Sequence, residues 1–120
     1  MQRARNIEAE ITFLRTEEGG RQGPVRSGYR PQFHCNDQDW DAMHEYVDRE
    51  WVHPGETVKA YLTFLSPQCH VGNVDVGTEF LVREGTKVVA KGHVTRILHL
   101  PDSARREGTR GPRGDGGDDA

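Results

Sequence analysis

A chain of 120 residues, 33% of them hydrophobic, has room for one domain with a modest core. It is too short to hold a nucleotide-binding domain together with a second folded unit. Sixteen basic against nineteen acidic side chains leave a net charge of −3, which excludes broad phosphate-driven adhesion to nucleic acid, so any RNA contact must be local. No apolar run approaches the roughly 18 residues of a membrane span. The basic N-terminus, Met1 to Asn6, lacks the apolar segment of a secretory signal, and a cytoplasmic location is expected. The two cysteines, Cys35 and Cys69, make no disulfide framework and are expected as small buried thiols.

In chain order the pattern is all-β. Ile7, Ala9, Ile11 and Phe13 alternate with Glu8, Glu10 and Thr12, the period of a strand with one wet face. Residues 17–24 hold three glycines and a proline, which is loop chemistry. Tyr29, Phe33 and Cys35 suit a second strand. Pro31 inside it marks an edge or a bulge, because proline cannot donate to a ladder. Trp40, Met43, Tyr46, Val47 and Trp51 then fall at helical spacing, with Asp39 placed as a cap. Helix or strand, that aromatic stripe is expected in the core.

Val58, Ala60, Leu62 and Phe64 alternate until Ser66-Pro67 stops them. Phe80 and Val82 begin a further strand that Gly85 turns. The last long strand covers residues 87–98, where a change of phase near Gly92 reads as a bulge. Turn signals every ten to fifteen residues, with no helices between them, predict a sandwich or a small closed barrel. Residues 101–120 carry five glycines, four arginines, five acids and no large apolar side chain. They are expected to form a disordered tail. The Arg113-Gly114-Asp115 tripeptide within it is read as chance.

Reaction chemistry finds little footing. No lysine follows a glycine, so the phosphate-cradling GTPase loop is missing and GTP binding by these residues is not expected. No serine sits in a nucleophile elbow. Six histidines are scattered. His34-Cys35 and Cys69-His70 have zinc-ligand chemistry, but neighbours on a strand face opposite ways and cannot share an ion. No catalytic residue, metal or cofactor is assigned, and the chain is not expected to be an enzyme.

Three segments carry a resemblance. They are Glu17-Glu18-Gly19-Gly20-Arg21, Gly28-Tyr29-Arg30-Pro31-Gln32-Phe33 and Phe80-Leu81-Val82-Arg83-Glu84-Gly85, with Pro54-Gly55-Glu56 between the last two. In order and spacing they resemble the C-terminal, third domain of bacterial elongation factor Tu over about residues 7–98. The resemblance implies a six-stranded antiparallel β-barrel over residues 1–100, a tail over 101–120, and no preceding GTPase domain. It also favours a loop and a strand over 46–52 in place of the helix.

The resemblance further implies recognition in a translation context. Arg21 matches an arginine that touches tRNA. Gln22 stands beside it where the family has histidine. Gln32, Glu84 and Gly85 match positions near the acceptor arm and T-stem. Leu81 and Glu84 match the junction with the GTPase domain, next to Tyr29, Arg30 and Arg83. The expected partner is a protein, or a second copy, on the face left uncovered without that domain. The alternative is tRNA or rRNA, held by the Gly19–Arg21 loop and the Arg83–Gly85 turn. Charge ranks the protein first: residues 37–50 carry six acids against Arg49 alone, and Asp41 stands near a threonine that lines the family's tRNA surface. A scaffold reading stands beside both, with Arg30 and Arg83 bridging strands to Glu79 or Glu84, and Gly19, Gly20 and Gly85 serving their turns.

Overall fold

The computed structural model describes residues 5–65 and 74–99. Cys69, His70 and the expected tail over 101–120 lie outside the described residues. The strands are β1 (Ile7–Phe13), β2 (Val25–Arg26), β3 (Gln32–Cys35), β4 (Gln38–Tyr46), β5 (Trp51–Val52), β6 (Thr57–Phe64), β7 (Glu79–Glu84) and β8 (Lys87–Ile97). Six of them close into an antiparallel barrel in the order β1-β6-β4-β3-β7-β8, with β8 returning to β1. The all-β, six-stranded architecture is the expected one. β2 and β5 form a separate two-stranded ribbon.

The alternating apolar positions of β1 and β6 meet inside. Ala9 faces Ala60, and Ile11 faces Val58, all buried. Phe33 anchors one end of the core, stacked on Phe80 at 4.4 Å and edge-on to Phe64 at 5.1 Å. At the other end Phe13, Tyr29, His44 and Tyr46 pack ring against ring. That second end carries the long 14–31 connection, the Gly55 turn and the Gly85 turn. Gly55 N–H donates to Phe13 O and Leu14 N–H to Val89 O, each at 3.0 Å.

Three local expectations are corrected. Of the stretch at helical spacing, Trp40, Met43 and Tyr46 lie in the strand β4, Val47 and Trp51 are exposed and not in the core, and the strand expected over 46–52 is reduced to β5. Residues 47–50 lie outside any strand. The hairpin that starts β4 turns on Asn36 and Asp37, at φ 54° and 61°. Asparagine and aspartate tolerate that left-handed pair. The inward residues of β4 are Ala42, His44 and Tyr46, a small residue and a polar one followed by an aromatic, so its alternation is faint in the sequence. Tyr29 and Pro31 precede β3 instead of lying within it. Pro31 meets no ladder that needs its missing donor, while its carbonyl accepts from Ala42 N–H at 3.1 Å. Gly92 is not a bulge: it pairs in register with both Ile11 and Phe80. The register shifts fall elsewhere in β8, at Val89 and at Thr95.

Candidate functional site

The connection after β1 is tied to itself before it presents anything. A 3-10 turn over Thr16–Glu18 ends at Gly19, whose φ of 92° suits glycine. A Cβ on Gly20 would lie 2.4 Å from Leu14 O, so only glycine fits the close approach. Thr16 Oγ1 donates to Arg21 O at 2.7 Å and fixes the backbone there. Arg21 Nε donates to Gly23 O at 3.3 Å, and its guanidinium lies 5.5 Å from the Tyr29 ring centroid.

The Arg21 guanidinium ion-pairs with Glu84, and the Tyr29 hydroxyl donates to the same carboxylate. Glu84 is therefore the point where the two residue sets expected from the sequence meet. Burial alone would raise its pKa, but the Tyr29 and Arg21 donors outweigh it and hold the group below the usual carboxylate range. Burial opposes the charge on Arg21 too, and Glu84 more than compensates. Burial, first, and the neighbouring Glu84 push the Tyr29 phenol up. Beneath Tyr29 lies His44, edge-on with ring centroids 5.5 Å apart and fully enclosed. Its Nδ1 is 3.1 Å from the Tyr46 hydroxyl. Burial pushes its pKa down to about 3, so the ring stays neutral in the fold.

The remaining predicted residues are less concentrated. Gln22, Arg30 and Gly85 are exposed. Gln32 sits opposite Arg83 in β7, half-buried, and its Oε1 is buried with no partner among the described residues. Arg83 does not pair with Glu79 or Glu84. Its Nη1 lies 2.9 Å from His34 Nδ1 and 3.6 Å from Asp39 Oδ1, while His34 Nδ1 is 2.8 Å from that carboxylate. One ring nitrogen cannot accept from Arg83 and donate to Asp39 together, so the two contacts of His34 Nδ1 exclude each other. Arg30 makes no ion pair with a described residue.

Register lines up a row around the outside of the barrel: Asp39, His34, Leu81, Lys91 and Thr12 on successive strands. Beside Leu81 opens a groove of about 590 Å³. Its walls include Glu10, Asp37, Glu79 and His93. Glu10 and Glu79 both oppose His93 in register. The sequence marks Leu81 as an interface position, Glu79 only as a strand-bridging partner and Asp37 only as one acid of the 37–50 run. Glu10, Glu79 and His93 come from three strands and Asp37 from the turn before β4, and their gathering depends on a register that no single segment reveals.

The acidic run over 37–50 is not one patch. β4 carries it along the barrel from the Asn36-Asp37 turn towards the opposite end, and arginines meet it on the way. Glu45 pairs with Arg5 at 3.0 Å, Glu50 with Arg26, and Asp39 with the His34–Arg83 cluster. The expected concentrated repulsion of phosphate is correspondingly diluted. His34 and Cys35 do face opposite ways, outward and inward. Among the described residues no three His, Cys, Asp or Glu side chains are gathered to hold a metal ion. No helix among them is long and apolar enough to cross a membrane.

The closed six-stranded barrel thus ties a Gly-Gly-Arg loop against an Arg-Glu-Gly turn. The chain belongs to the elongation factor Tu C-terminal domain family, whose family model matches residues 1–98.

Proposed function

We propose that this domain is a non-catalytic, protein-docking module of cytoplasmic translation, and that it engages its partner through the outer face of β7. One observation carries the reading: Leu81, half-buried at the centre of that face, borders a groove large enough to take a side chain of a second protein. Arg83 extends the same outward face of β7, while Glu84, on the opposite parity, is held by Arg21 and Tyr29 at the end of the strand. The acids on the groove walls oppose a phosphate backbone there.

Binding of tRNA is the second reading, and a separate observation supports it. Arg21, Glu84 and Gly85, drawn from two distant segments, are neighbours at one end of the barrel. Against it, the Arg21 guanidinium is already engaged by Glu84.

The test is a titration of the isotope-labelled chain with the GTPase domain of an elongation factor Tu and, separately, with tRNA, followed by amide chemical shifts. Sedimentation tests a second copy as the partner. We expect protein-induced shifts centred on Leu81, Lys91 and His93, and binding weakened at least about tenfold by Leu81→Arg, the scale of a lost interface anchor. Shifts produced by tRNA alone, centred on Arg21 and Gly85 and removed by Arg21→Ala, would transfer the function to RNA.

A further inference from the structure

Resting on the docking face just described, we propose that its groove receives an arginine side chain of the partner protein. The groove has an apolar wall in the Leu81 side chain, the Phe80 ring being turned into the core, and a carboxylate side, formed by Glu10, Asp37 and Glu79. Glu79 and Asp37 make no ion pair with any described residue. Glu10 has only His93, whose Nε2 is 4.0 Å away, too far for a hydrogen bond. Lys91 is the one lysine or arginine on the walls, so three acids leave the groove net negative.

That combination selects among occupants. A phosphate or an acidic segment is repelled. A purely apolar side chain would satisfy Leu81 but strip water from the carboxylates without replacing its hydrogen bonds. Arginine meets both demands. Its aliphatic stem lies along apolar surface while its charged head stays polar. Its planar guanidinium presents five donors, enough to bridge carboxylates that stand on different strands. Glu79 on β7 and Glu10 on β1 flank β8 on either side of His93, so their chains are about 10 Å apart. A forked donor spans such a pair better than the compact ammonium of lysine.

The experiment titrates the full labelled chain with a tetra-arginine peptide and with its citrulline counterpart, which keeps the shape and loses the charge. We expect saturable amide shifts at Glu79, Leu81, Lys91 and His93 with the arginine peptide. Citrulline, or the double variant Glu10→Gln/Glu79→Gln, should weaken binding at least about tenfold, as loss of a charge-assisted contact does. Both replaced side chains are exposed, and an unchanged spectrum away from the groove shows that the fold is kept. Shifts scattered over every acidic surface, equal binding of citrulline, or indifference to the double variant would overturn the proposal. The arginine pocket and the docking face fail separately. If Leu81→Arg abolishes capture of the GTPase domain while the arginine peptide leaves the groove unmoved, the face stands and the pocket falls.

Discussion

His44 is a titratable ring buried in the aromatic cluster at one end of the core, and its neutrality is a condition of the fold. Tyr29 and Tyr46 pack edge-on against it, with Phe13 behind both, and its polar contact is the Tyr46 hydroxyl at 3.1 Å. The unfolded chain holds histidine near its ordinary pKa of about 6.5, whereas burial brings the folded value down to about 3. The unfolded state therefore binds the extra proton first. The contribution of neutral His44 is complete above pH ~6.5 and declines as pH falls from there towards 3, by up to about 1.4 kcal/mol per unit. Urea midpoints between pH ~7.5 and ~5 should show this slope. His44→Phe should lower the midpoint at the upper pH yet flatten its decline. An equal slope in that variant would assign the effect to other groups. Glu84, with its pKa lowered, loses its own contribution only at more acid pH, so the two are separable.

β8 shows how one strand can serve two packing demands. The bulge at Val89 turns Val89 and Ala90 inward together, both fully buried. The bulge at Thr95 lets its hydroxyl donate to the buried carboxylate of Glu8 at 2.8 Å, with Arg96 at 3.7 Å. Between the two, Gly92 leaves room for a ring: a Cβ there would stand 2.6 Å from Phe80 Cζ. Gly92→Ala should cost about 1–3 kcal/mol in denaturant stability, the range for overpacking a core. Phe80→Leu in the same chain should restore part of the loss, and no recovery would mean that backbone conformation, not the ring, requires the glycine. The change of phase near Gly92 is visible in the sequence, but its cause is not. The phase changes at the Val89 bulge, whereas Gly92 stays in register to admit the Phe80 ring, and only the partner strands place the two features apart.

At the scale of the whole molecule the barrel closes through β1, which bonds to β6 on one side and β8 on the other. The two-stranded ribbon of β2 and β5 hangs outside that ring with a pair of residues in each strand. Amide exchange should accordingly be slowest in β1 and its two neighbours and fastest in the ribbon. Equal protection of both would contradict a closure centred on β1. By itself the sequence determined the all-β class, the alternating cores of β1 and β6, and the turn residues, because period-two burial and glycine chemistry are local properties. It also placed Arg21, Tyr29 and Glu84 among the residues of interest. It could not place β4, where alanine and histidine occupy inward positions, nor show that Glu84 would hold both Arg21 and Tyr29. Tertiary structure alone decided how the acids of residues 37–50 are shared out and which outward residues border the groove beside Leu81. Those outcomes depend on the register between strands distant in the chain, and register is a property of pairs.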